Sequence, residues 1–247
     1  MKFPKEVYDK YPSLRKFEID GYKEWKGGRE RALLEHVKQS PDFTQMEGNP
    51  AKLLEAMDEF AVQQDFLINI GSDKGRILTD LLAEERPKVV VELGTYVGYS
   101  AIMLANQMRH FNKQGEAVKL WSLEFDSELA NIASEFINIA GLSDVVTVVT
   151  GAASESLRTL KAGGRLDHAD LIFLDHVENL YVQDLTVCEE LGLLKTGVCI
   201  VADNVLMPGA PEYRQYVRSH PKLKSWGVKG LIMPGEFEDE MEVSKVL

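Results

Sequence analysis

Two segments in the second half of the chain end in residues that could do chemistry together. ADLIFLD (169–175) runs into Asp175-His176, and VCIVADN (198–204) closes on Asp203-Asn204. Two carboxylates and an amide are hard oxygen donors, suited to Mg²⁺ in octahedral geometry with positions left for substrate and water. Such a cation lowers the pKa of a bound hydroxyl and orients it. Either acid alone reads better as a cap on a following helix; the pair, beside Asn204, reads better as a metal site. His176 stays open, since a histidine there can stack on an adenine, hydrogen-bond a neighbour or simply be satisfied.

A second constellation lies upstream. VVVEL is followed by Gly94-Thr95-Tyr96-Val97-Gly98-Tyr99-Ser100. Glycines after a first strand turn the chain tightly and bring its backbone close to a ligand at the helix N-terminus. Tyr96 occupies the place where a dinucleotide loop needs a glycine against the pyrophosphate. The form E-x-G-x-x-x-G, from Glu92, instead suits a nucleoside without phosphates, such as S-adenosylmethionine. An acid should then end the next strand and take the ribose hydroxyls. Glu124 closes KLWSLE, 30 residues after Gly94. An aromatic hydroxyl acidified by the metal could attack the methyl sulfonium of that cofactor. An NAD-linked oxidoreductase would need a third loop glycine, which is absent.

These residues need a frame that brings strand ends together. KVVVEL (88–93), KLWSLE (119–124), VVTVVT (145–150), ADLIFLD and VCIVADN are short apolar runs, each with a helical segment behind it. That alternation specifies a parallel sheet buried on both faces. In an open sheet of this kind ligands gather at the carboxyl ends of the strands. Two further strands, around Gly227–Met233 and Glu242–Leu247, flank the turn-like PGEFEDE and predict an antiparallel hairpin at the sheet edge. Before Pro87 the spacing predicts helices over Arg29–Lys38, Pro50–Ile68 and Asp73–Glu85, with Gly71 as a break. The first 30 or so residues are charged and aromatic-rich and are expected to wrap the surface. The expectation is one doubly wound α/β domain over 1–247, with a helical cap region (1–86) on a seven-stranded core (87–247).

Composition bounds the function. The 247 residues carry 28 Lys+Arg against 39 Asp+Glu, a formal charge of −11. With no dense basic block, a nucleic-acid partner is not expected. No run approaches the ~18 apolar residues of a membrane span. The polar N-terminus has no signal-peptide core. Cys188 and Cys199 sit in apolar stretches without C-x-x-C spacing, which fits a reducing, cytoplasmic setting.

Taken together these stretches resemble the catechol O-methyltransferase family. The similarity runs from about Pro50 to Gly209 through FLINIGSDKG (66–75), VELGTYVGYS (91–100), IAGLSDVVT (139–147), FLDH (173–176) and ADNVLMPG (202–209). The resemblance implies a Rossmann-like class I methyltransferase, acting as a monomer with S-adenosylmethionine and Mg²⁺ on a vicinal aromatic diol. It places Ile68, Asn69 and Ile70 along the methionine part of the cofactor, with Glu92, Gly94, Tyr96, Tyr99 and Ser100 around it. Glu124 would hold the ribose, while Phe125, Ala153, Ser154 and His176 surround the adenine. Asp175, Asp203 and Asn204 would bind Mg²⁺, Asp175 also bordering the cofactor. Phe66, Val177 and Pro208 would wall the substrate.

The departures from the family pattern concern proton handling. The family's catalytic lysine is here Glu178, with Lys74 as another group that could take the proton. Ala153 and Ser154 replace a serine and a glutamine, and Val177 replaces an aromatic. The glutamate that meets the second hydroxyl falls on Met233 by ungapped counting, or on Glu236 after a small loop shift. A second reading is therefore a cofactor-binding protein of the same fold with little or no catechol turnover.

Overall fold

The computed structural model describes residues 2–112 and 116–247. Its centre is a seven-stranded sheet of β1 (Val89–Leu93), β2 (Lys119–Glu124), β3 (Val146–Thr150), β4 (Leu171–Leu174), β5 (Cys199–Ala202), β6 (Leu223–Ile232) and β7 (Phe237–Val246). The order is β3-β2-β1-β4-β5-β7-β6, with the first five strands parallel. Alternate residues of each strand enter two different cores. Val90, Leu120, Phe173 and Val201 face one, and Val91, Leu123, Ile172 and Ile200 the other. This two-sided burial is why the strands read as nearly unbroken apolar runs.

Helices α4 (Pro50–Gln63), α5 (Gly71–Glu85), α6 (Tyr99–Phe111) and α7 (Ser127–Ile139) cover the first face, with α2 (Arg29–Gln39) outside them. Helices α8 (Ala153–Ala162), α9 (Tyr181–Glu190) and α10 (Pro211–Ser219) cover the second. The amino-terminal region is helical as expected, adding α1 (Lys5–Lys10), a 3-10 segment over Pro12–Glu18 and the short α3 (Phe43–Met46). It does more than wrap the surface. Tyr8, Tyr11 and Leu14 are buried with Phe66 in a third cluster, against which Ile232, Met233 and Phe237 pack. Among the described residues no helix is long and apolar enough to cross a membrane.

Two expectations are corrected. The helix from Pro50 ends at Gln63, not Ile68. Asp65 beyond it accepts Lys16 Nζ at 2.7 Å and the Tyr22 hydroxyl at 2.9 Å, and Phe66–Ile70 become a loop at the sheet's carboxyl edge. The tail forms the expected antiparallel hairpin at the sheet edge, β7 pairing with β5 and β6 outermost, but its strands are longer than Gly227–Met233 and Glu242–Leu247. Most of PGEFEDE is strand: Ile232 pairs with Phe237 and Gly230 with Asp239. The acidic composition suggested a turn because the charge compensation of Asp239 comes from another element.

Candidate active site

The strand order reverses between β1 and β4, so their carboxyl ends open a crevice where an α/β sheet binds ligands. Gly94 adopts φ +97°, and a Cβ there would lie 2.2 Å from the Asp175 carbonyl oxygen. Only glycine lets these two strand ends approach so closely. Tyr96, also at positive φ, is held from two sides. Its backbone N–H donates to Glu124 at 2.9 Å and its hydroxyl to Glu30 on α2 at 3.1 Å. Glu124 accepts the Thr95 N–H at 3.2 Å and the Asp126 N–H at 2.9 Å as well. The expected ribose acid thus also pins the glycine loop. Tyr99 donates to Asp58 at 3.1 Å, from within the α4–α6 packing.

Glu92 is fully buried near the end of β1, its Oε2 accepting the hydroxyl of Ser122. Burial pushes its carboxyl up to about 7. Its other oxygen, the Asn69 amide nitrogen and Nδ1 of His176 are buried without a hydrogen-bond partner among the described residues. Buried polar atoms in native proteins are nearly all satisfied, so three orphans around one crevice mark a place that a polar ligand completes. An acceptor at Glu92 and a donor at Asn69 match the ammonium and carboxylate of an amino-acid tail. Ile68 and Phe125 are exposed at the crevice rim, at 40% and 79%. Ala153 and Ser154 open α8, half-buried, and Ile70 lies buried beneath the loop.

The acid cluster lies beside this crevice. Asp203 follows β5 and is buried; Asp175 follows β4, half-buried. Desolvation and the charge of Asp203 push Asp175 well above the usual carboxylate range. The Asp175 side chain has no hydrogen-bond or ion-pair partner among the described residues. Asn204, in the left-handed region at φ +56°, donates its amide N–H to Met207 O (3.0 Å) and Asp239 Oδ2 (3.1 Å). Its amide oxygen remains available. This donor set fits a small divalent cation: an unpartnered carboxylate beside a second carboxylate, with an amide oxygen between the loops.

Lys74 arrives at this cluster as a buried ammonium. Its Nζ donates to both oxygens of Asp203 (2.6 and 2.8 Å) and to Asp239 at 2.9 Å. Burial alone would lower its pKa, but Asp203 and Asp239 outweigh that and raise it. It is a fixed charge rather than a free base. Glu178, half-buried two residues past His176, is pushed up by desolvation and carries no ion pair among the described residues.

The expected substrate wall is only partly assembled. Val177 and Pro208 are exposed beside the cluster. Phe66 is instead 7% exposed, its ring 5.2 Å from Phe17. Glu236 is drawn to Lys10 and to the Tyr11 hydroxyl (3.0 Å), on the outer side of the hairpin turn. Met233 packs near Gly71, where a Cβ would meet its side chain at 2.9 Å. Position 233 therefore brings its Cβ and backbone against the start of α5, and its side chain packs on the aromatic cluster, with no carboxylate there. Three residues escaped the sequence reading: Glu30, Asp184 and Asp239. Only Asp239 left a signal, since it shares strand parity with buried Met241 and Val243.

Comparison with known proteins agrees with this geometry. Residues 45–219 match the O-methyltransferase family. Catechol O-methyltransferase of Bos taurus is 33% identical over 219 residues, covering 89% of this chain and 74% of that protein. Catechol O-methyltransferase B of Danio rerio is 35% identical over 219 residues, covering 89% and 79%. Among solved structures, an O-methyltransferase from Bacillus cereus in complex with SAH superposes with a TM-score of 0.66 at 19% identity, over 98% of this chain and all of that one. TomG from Streptomyces achromogenes, solved with SAM, gives 0.64 at 18%, over 85% and 91%. With the glycine loop, the acid-ended strands and the sheet order in place, the chain belongs to the O-methyltransferase family and is an S-adenosylmethionine-dependent O-methyltransferase.

Proposed function

We propose that the chain methylates one hydroxyl of a vicinal aromatic diol and that it does so with Mg²⁺. The observation that carries this reading is the unpartnered Asp175 carboxylate facing Asp203, next to an amide oxygen whose own N–H group is already committed. Asp175, Asp203 and Asn204 would hold the cation. When bound, it supplies acidification and orientation of the phenol, and S-adenosylmethionine supplies the methyl sulfonium. Positioning then provides much of the catalysis, because attack on the methyl carbon is in-line.

The chain's own residues have separate tasks. Glu124 accepts the ribose hydroxyls while keeping Thr95 and Tyr96 in place. Glu92 and Asn69 receive the amino-acid tail, flanked by Ile68, Ile70, Tyr99 and Ser100. Phe125, Ala153, Ser154 and His176 border the base. Lys74 holds Asp203 rigid and offsets its charge. Glu178 stands where it can accept the phenolic proton, and Val177 and Pro208 flank the ring. Both cysteines are buried and free, which supports a reducing, cytoplasmic setting; the proposed form is a monomer with one domain over 1–247. A cofactor-binding protein with little catechol turnover is the second reading, favoured by a carboxylate at position 178.

The test is methyl transfer from labelled S-adenosylmethionine to a panel of diols and matching monophenols, in EDTA and after Mg²⁺ is restored. Transfer to diols alone, lost in EDTA and recovered with Mg²⁺, is expected. Full rate in EDTA would remove the metal, and equal rates on monophenols would remove the diol. Tight cofactor binding with no transfer to any acceptor would establish the second reading.

A further inference from the structure

His176 stands on the β4 side of the crevice at the strand reversal, its backbone nitrogen so near Gly94 that a Cβ there would lie 2.9 Å away. Its side chain is 13% exposed, and its ring lies 5.1 Å from that of Tyr181, tilted by 42°. Nε2 is 2.8 Å from Oδ2 of Asp184. Asp184 projects from α9 and is 2% exposed, and its partner among the described residues is the His176 ring. The other ring nitrogen, Nδ1, is buried with no partner among the described residues.

These facts constrain the proton. A carboxylate accepts hydrogen bonds and cannot donate one, so the 2.8 Å contact places a hydrogen on Nε2. In the neutral ring the lone pair then resides on Nδ1, which can only accept. The second nitrogen of a histidine is set by the bond the first one makes, and here that bond comes from an acid eight residues later on a packed helix. A buried acceptor left unpaired beside the strand reversal is one that a ligand donor can complete.

We propose that Asp184 is a positioning residue: it fixes His176 as the Nε2–H tautomer so that Nδ1 accepts a hydrogen bond from an N–H or O–H group of the cofactor's nucleoside. This rests on the cofactor reading above. It adds a polar contact on the base side of the crevice, where Ala153 offers none and Phe125 stands exposed.

The experiment is a long-range ¹H–¹⁵N correlation of histidine-labelled protein at neutral pH, without and with saturating S-adenosylhomocysteine, with His176 assigned through His176→Asn. The free protein should show Nδ1 unprotonated and Nε2 protonated, and the Nδ1 resonance should shift upfield on binding. Asp184→Asn should populate the other tautomer and weaken S-adenosylhomocysteine roughly ten-fold by calorimetry, the scale of one buried hydrogen bond. In a His176→Asn background, whose amide oxygen can accept without Asp184, the same substitution should change affinity little. Three results would each overturn the proposal: a protonated Nδ1 in the free protein, an Nδ1 resonance unmoved at saturation, or unchanged affinity in a natively folded Asp184→Asn. A wild type that does not bind S-adenosylhomocysteine at all would instead bring down the cofactor reading, and the free-protein spectrum would still judge the tautomer.

Discussion

The ammonium of Lys74 on α5 lies 2.6 Å from Oδ1 of Asp203 at the end of β5, in an ion pair whose two side chains are each 2% exposed. It ties the helical cap region to the strand end that carries the acid, and Asp239 on β7 closes the group at 2.9 Å. Breaking one side of a buried pair leaves an uncompensated charge. Lys74→Met should therefore cost about 3–5 kcal/mol in urea unfolding. Lys74→Met combined with Asp203→Asn should recover part of that loss, and a double variant no more stable than the single one would show that packing, not charge, is what Lys74 provides.

Glu92 gives a pH dependence of definite sign. Its folded pKa, about 7, lies above the ordinary carboxylate value. The stability linked to it is complete below about pH 4.3 and is lost as pH rises through about 7, on the order of 3 kcal/mol in all. Asp58, pushed up to about 6 by burial, acts in the same direction. Cofactor-free Glu92→Gln should be more stable than wild type at pH 8, with the difference shrinking toward pH 4.5. A difference independent of pH would mean that Glu92 is ionised throughout.

Gly94→Ala tests the close approach of β1 and β4. The new Cβ would sit 2.2 Å from the Asp175 carbonyl oxygen at φ +97°, so backbone rather than a side chain must move. A loss above about 3 kcal/mol, with cofactor affinity abolished, is expected. Near-native melting and binding would place the crevice elsewhere.

The resemblance to the catechol O-methyltransferases sets Glu178 where a catalytic lysine is expected. Desolvation raises its pKa, which improves it as a base while keeping it a weaker one than a neutral amine. Slow turnover on simple catechol is expected, rising with pH. Glu178→Lys should accelerate it roughly ten-fold or more, within the usual range of general-base help. The check is a pH–rate profile of both proteins in excess Mg²⁺. A fast wild type, flat from pH 6 to 9, beside an inactive Glu178→Lys would assign Glu178 to a different chemistry.

The sequence by itself determined the parallel sheet, because strands buried on both faces must be apolar throughout, and Val89–Leu93 and Leu171–Leu174 could be read with no knowledge of their neighbours. It also located Glu124, Asp175, Asp203 and the glycine loop, since each sits at the end of such a run and a strand end is a local property. Tertiary structure decided the rest. Asp239 looked like part of a turn until Lys74, 165 residues away, arrived to neutralise it. Phe66 was drawn into the aromatic cluster because Tyr8, Tyr11 and Leu14 fold back onto it, and Glu236 was diverted to Lys10 and Tyr11 by the same segment. The partner of His176 lay on the face of a helix whose spacing reports only which residues are buried. Charge compensation and ring packing are made between distant elements, and no local pattern encodes which element will supply the other half.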